Sequence, residues 1–213
     1  MKMNTILSRP LASALALAVC ATAAHAATLP EAEAQIRPVE ATIRERLGEL
    51  VFGSEDEELQ DVVVRLLHEK RRTLATAESI TGGLVAHRVC MVPGASEFFR
   101  GGVVSYSDEV KARELGVPPA LLQEHGAVSE PVARAMAEGV RRKFGTDLGV
   151  STTGLAGPGG GTDANPVGTA YVGLAHAGGC EVARWGWIGS RYEIMSRTAK
   201  LALNAVRLGL LKG

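Results

Sequence analysis

A serine, a lysine and a run of glycines, each where an extended segment gives way to a turn, are the residues here that could act together chemically. The serine is Ser79, in Ala77-Glu78-Ser79-Ile80-Thr81-Gly82-Gly83. The lysine is Lys111, shortly after Gly101-Gly102-Val103-Val104-Ser105-Tyr106. The glycines lie in Thr153-Gly154-Leu155-Ala156-Gly157-Pro158-Gly159-Gly160-Gly161-Thr162. Each segment reads as the end of a strand, which is where open α/β sheets bind ligands.

Ser79 precedes Gly82-Gly83 and a helical pattern, a geometry that exposes a hydroxyl and aims free backbone N–H groups at the same point. One turn could thus hold a nucleophile and, near Thr81, Gly82 and Gly83, the donors for an oxyanion. The plainer alternative is that Ser79 and Thr81 only cap the helix. A serine needs a base, and neither G-x-S-x-G nor a lysine three residues on is present. Lys111 is the candidate. A free lysine titrates near about 10.4, and a useful base needs roughly 7–8, a difference of roughly 4 kcal/mol. Burial near a helix N-terminus could supply that difference, with Tyr106 relaying the proton or orienting the amine. The alternative is an ordinary surface lysine. The glycine-rich loop lacks the Gly-Lys-Ser/Thr of a phosphate loop and does not match G-x-G-x-x-G. Its amides could still approach an anionic ligand, with Thr153, Gly154 and Gly157 nearest the strand end.

The elements that must position these residues alternate. Ser54-Glu55-Asp56-Glu57 reads as a capping box opening an amphipathic helix to about Lys70, with Leu59, Val62, Val63, Leu66 and Leu67 on one face. Strands are expected over residues 73–77, 103–106 and 147–152. Gly168–His176 and Cys180–Ile188 should form a hairpin around Gly178-Gly179. Ser107-Asp108, Pro118-Pro119, Ser129-Glu130-Pro131 and Ser190 read as helix starts. The pattern predicts a three-layer α/β/α fold with a mixed, mostly parallel sheet.

The chain has 213 residues, 23 basic against 23 acidic, and few aromatics. This balance speaks against a nucleic-acid or membrane footprint. Residues 1–26 read as an export signal, with Lys2 and Arg9, an Ala/Leu-rich stretch too short to span a membrane, and Ala24-His25-Ala26. A periplasmic location follows, or a cytoplasmic one if the true start lies downstream. Residues 27–55 read as a linker or docking helix interrupted at Pro38, and 56–213 as the main domain. Cys90 and Cys180 are expected as buried small apolar residues, the alternative being a pair in an oxidising compartment, although nothing in the sequence fixes their distance. With no C-x-x-C and no H-E-x-x-H, neither a metal nor a cofactor is expected.

In this order the segments resemble the CinA C-terminal-domain family, the nicotinamide-nucleotide amidohydrolases, from about Leu59 to Leu211. The resemblance rests on T-A-E-S-x-T-G-G at Thr76–Gly83, G-V-V-S-Y-S at Gly102–Ser107 with Lys111, and H-G-A-V-S at His125–Ser129. It extends to T-G-x-A-G-P-G-G-G-T at Thr153–Thr162 and P-V-G-T at Pro166–Thr169. It implies deamidation of nicotinamide mononucleotide to the nicotinate nucleotide and ammonia, without metal, by an oligomer. It also implies Ser79 as nucleophile, Lys111 as base, and Tyr106 and Thr153 in the site. Long members carry an upstream molybdopterin-binding-like domain that has no counterpart in this sequence, and Ile36–Gly53 look like its tail. The family is expected in the cytoplasm, against the export signal. Residue 80, often Cys in the family, is Ile.

Overall fold

The computed structural model describes residues 28–53 and 56–212, in two units that divide between Val51 and Phe52. The expected export signal, together with Ser54 and Glu55, lies outside the described residues. The first unit is helix α1 (Leu29–Leu47) followed by a single 3-10 turn. The Thr28 N–H donates to the Glu31 carboxylate at 2.8 Å and starts α1. Contrary to expectation, Pro38 does not interrupt it. The helix buries no residue, so water can satisfy the one carbonyl that a proline leaves unpaired.

The second unit contains α2 (Leu59–Lys70), β1 (Leu74–Glu78), α3 (Leu84–Cys90), β2 (Phe99–Val104), α4 (Asp108–Leu115), α5 (Pro119–His125) and α6 (Glu130–Phe144). Then come β3 (Leu148–Gly154), β4 (Thr169–His176), β5 (Gly179–Gly186) and α7 (Arg191–Lys212). The sheet order is β2-β1-β3-β4-β5. Strands β2, β1 and β3 are mutually parallel, and β4 is antiparallel to both its neighbours. All strands but β4 therefore run one way, and the C-terminal ends of β1, β2 and β3 share one edge of the sheet.

Alternation along β1 divides the core. Leu74 faces α2, α3 and α7, joining Leu67, Val85, Leu203 and Val206. Ala75 and Ala77 face the other layer, with Leu115, Val132, Met136 and Val140. Leu67, Leu74 and Leu203 are completely buried, so truncating any of them to Ala should cost about 2–5 kcal/mol. Gly139 in α6 passes so close to the Leu115 carbonyl that a Cβ would overlap it. That approach seats α4, and with it Lys111. No helix among the described residues is long and apolar enough to cross a membrane.

Several boundaries differ from the sequence reading. Helix α2 is capped not at Ser54 but at Glu58, whose N–H donates to Asp61 at 2.7 Å. The helix starts where its apolar stripe does, at Leu59. Helix α6 does start after Ser129 as expected, with Pro131 in its first turn, but the Ser129 side chain accepts no helix N–H; its hydroxyl donates to the Gly126 carbonyl at 2.9 Å. The hairpin turns at Ala177-Gly178. The cysteines are not buried: both are free thiols, Cys90 exposed at the end of α3 and Cys180 half-buried on edge strand β5.

Candidate active site

Ser79 follows β1 directly and donates its N–H to the Thr152 carbonyl of β3 at 2.9 Å. On the other flank, the Ser105 N–H just past β2 donates to the Glu78 carbonyl at 2.8 Å. The parallel register thus continues one residue beyond the strands and fixes Ser79 beside Ser105. Ser79 is 8% exposed. Its hydroxyl has no hydrogen-bond partner among the described residues. Gly82 and Gly83 take positive φ angles of 60° and 101°, which a Cβ disfavours. They let the chain reverse from strand to helix within the predicted turn.

Lys111 lies in the first turn of α4, whose N-cap Ser107 accepts from the Val110 N–H at 3.4 Å. It is 1% exposed, so the surface alternative is excluded. Its Nζ meets the Asp108 Oδ1 at 3.4 Å. No hydrogen bond joins Lys111 to Ser79 among the described residues, so the expected dyad is not closed. Catalytic hydrogen bonds commonly tighten only when substrate binds. Tyr106 lies outside β2 and is largely exposed, and its hydroxyl accepts from the Arg191 guanidinium at 2.6 Å. It is bonded to Arg191 rather than to Lys111.

The six residues expected to bind substrate frame the site more than they offer free side-chain donors. Thr81 is fully buried and donates its hydroxyl to Glu78 at 2.6 Å. Its single proton is thereby used, so Thr152 donates to it in the 2.7 Å contact between the two hydroxyls. The Gly82 N–H donates to the Ser79 carbonyl at 3.2 Å and the Gly83 N–H to Glu78 at 3.0 Å. Thr153 donates to the Ala127 carbonyl at 2.7 Å, tying residues 126–129 to the sheet. The Asn165 side chain holds the same segment through the Val128 carbonyl at 2.9 Å. Gly154 ends β3 with Ile80 packed beside it. Gly157 has a φ of 74° and gives its carbonyl to Arg191 at 2.7 Å.

Two residues of the site escaped the sequence reading. Glu78 is 1% exposed and gathers the Thr81 hydroxyl and the N–H groups of Gly83, Val85 and Ala86. It caps α3 from the preceding strand. Arg191 bonds Tyr106, past β2, and Gly157, in the loop after β3. Because β1 lies between β2 and β3, Arg191 spans the strand end that carries Ser79. Both its partners are neutral, and it has no carboxylate partner among the described residues. It also stands at the first position of α7, where the helix dipole disfavours a cation. That misplaced cation was the one available sequence signal. Among the described residues, no group of three or more His, Cys, Asp or Glu could hold a metal ion. A separate groove of about 390 Å³, lined by residues including Pro118, Leu121, Pro131 and Arg134, contains none of these site residues.

The CinA C-terminal domain family matches residues 56–210. The chain is 50% identical over 169 residues to a CinA-like protein of Geobacter sulfurreducens, covering 79% of this chain and 41% of that protein. It is 45% identical over 194 residues to a CinA-like protein of Dictyoglomus thermophilum, covering 91% and 47%. The chain thus spans less than half the length of these curated relatives. A CinA superfamily protein from Klebsiella pneumoniae superposes with a TM-score of 0.71 at 32% identity, covering 75% of this chain and 100% of that one. One from Escherichia coli gives 0.69 at 28%, covering 76% and 98%. The mixed five-stranded sheet, the strand-end segments and these likenesses lead to one assignment: the chain belongs to the CinA C-terminal domain family.

Proposed function

We propose that the chain is an amidohydrolase that converts nicotinamide mononucleotide to nicotinate mononucleotide and ammonia. The observation that carries this reading is an unbonded serine hydroxyl directly after β1 and a buried lysine in the first turn of the helix that follows the adjacent parallel strand β2. Ser79 Oγ attacks the carboxamide carbon, and Lys111, as the neutral amine, takes its proton. The tetrahedral intermediate collapses, Lys111 returns the proton to the leaving nitrogen, and ammonia departs. Water, activated by the same lysine, then attacks the acyl-enzyme and releases the acid and Ser79. A positioned base contributes about 10²–10⁴-fold.

Arg191 supports the nucleotide as substrate. Its guanidinium spans the end of β1 on two neutral acceptors, which leaves its charge for a phosphate. The glycine-rich loop is tied to Arg191 through the Gly157 carbonyl.

The test is ammonia release from nicotinamide mononucleotide by the chain from Ala27 onward, with Ser79→Ala alongside. The expected result is turnover by the first and a loss of at least about 10³-fold in the variant, consistent with removal of a covalent nucleophile. Equal rates in both would refute the reading.

A further inference from the structure

The backbone around Ser79 has an N–H inventory that separates two groups from the rest. Ser79 N–H donates to the Thr152 carbonyl at 2.9 Å, Gly82 N–H to the Ser79 carbonyl at 3.2 Å and Leu84 N–H to the Thr81 carbonyl at 3.2 Å. Gly83 and Val85 N–H both donate to Glu78 Oε2 at 3.0 Å, and Ala86 N–H to Oε1 at 2.8 Å. The N–H groups of Ile80 and Thr81 have no acceptor among the described residues. The end of helix α3 is therefore no anion site, because its amides already face Glu78. What stays free is the pair of amides directly after the serine. The N–H following a nucleophile is a recurrent oxyanion donor.

Resting on the serine chemistry proposed above, we infer that the Ile80 and Thr81 N–H groups bind the developing oxyanion, and that Glu78 is the positioning residue that reserves them for it. The sequence reading had placed these donors near Thr81–Gly83; the bonding pattern moves them toward Ser79. Glu78 acts at two points. It saturates the amides that would otherwise compete for an anion or reorient toward water. It also grips the Thr81 hydroxyl at 2.6 Å, while Thr152 holds the same hydroxyl from β3 at 2.7 Å. Thr81 is thereby pinned on two sides, and the direction of its N–H is set before substrate arrives. Such preorganisation is what gives an oxyanion hole its effect, since no reorganisation is needed as charge develops. Glu78→Gln would replace one acceptor oxygen with an NH₂ group that must face N–H donors. The turn would have to shift to relieve that opposition.

The test uses 3-pyridylboronic acid, which forms a tetrahedral adduct on a serine hydroxyl whichever amide the enzyme hydrolyses. In folded Glu78→Gln, boronate affinity and kcat should each fall by about 10²-fold, the effect of losing one oxyanion donor. KM for nicotinamide mononucleotide should stay within about threefold, because the ground-state amide draws little on these donors. Thr81→Val, nearly isosteric, should lose about tenfold in both by freeing the same turn. It serves as the test if Glu78→Gln does not fold. Wild-type boronate affinity and kcat in a folded variant would overturn the inference and make Glu78 a helix cap alone. A boronate effect of Glu78→Gln without ammonia release by the wild type would support the inference and refute the nucleotide substrate. Equal boronate binding by wild type and Ser79→Ala would overturn both.

Discussion

Replacing Lys111 with methionine separates function from fold. The methionine keeps the length and apolar stem of the side chain and deletes the amine. As an ammonium, Lys111 gains about 5 kcal/mol from a partner 3.4 Å away at an effective dielectric of about 20, and about 1 kcal/mol at about 80. Asp108 is 54% exposed at its side chain, so the lower end of that range applies. Against it stands a desolvation cost of several kcal/mol for an ion in a residue that is 1% exposed. The lysine is therefore not retained for stability. Lys111→Met should melt at the wild-type temperature or above, by about 2–4 °C for each kcal/mol relieved. Ammonia release should fall by about 10²–10⁴-fold. Thermal melting followed by circular dichroism, with an ammonia assay on the same preparation, measures both. A melting temperature lowered by about 10 °C, with turnover retained in the folded fraction, would refute the reasoning and make Lys111 a structural residue.

Three further outcomes are expected. Arg191→Gln should raise KM for the mononucleotide by about tenfold or more, as loss of a charge-assisted bond to phosphate implies, and leave kcat less affected; steady-state kinetics decides this. Burial pushes the Asp147 carboxyl up, but bonds from Thr73 and Arg72 together outweigh it and hold it below its usual range. A depressed carboxyl stabilises the fold above its unfolded pKa, about 3.9, and that contribution fades as pH falls through the folded value. Wild type should therefore out-melt Asp147→Asn near pH 7, and the gap should begin to narrow below about pH 4 and close only beneath the folded value. Cys180 is pushed up to about 11 by burial, with the nearby Arg134 opposing the shift. Iodoacetamide at pH 8 should therefore alkylate exposed Cys90 well before Cys180, as peptide mass spectrometry would show.

The parts of the site made by neighbours in sequence were legible from the residues. Thr81-Gly82-Gly83 announces a strand-to-helix reversal because two glycines tolerate positive φ. Ser107-Asp108 marks the start of α4, so Lys111 could be placed in its first turn. Its burial could not be read, because that depends on Gly139 letting α6 approach Leu115. Arg191 was hidden for a similar reason: its partners lie 85 and 34 residues away, and only the β2-β1-β3 order brings them together. Glu78 was in view within a quoted motif, but the spacing does not disclose that a strand residue caps the helix after it. Pro38 marks the reverse case, where a strong local signal is overridden. The proline costs little in a helix with no buried face. Cys180, on an edge strand, is only half-buried, against the usual full burial of cysteine.

The measurement that bears most directly on the account is a double-mutant cycle on turnover of nicotinamide mononucleotide, with Ser79→Ala, Lys111→Met and the pair combined. If serine and lysine work as one unit, each single variant loses about as much as the double. Single losses that add up in the double would mean independent roles and would contradict the dyad.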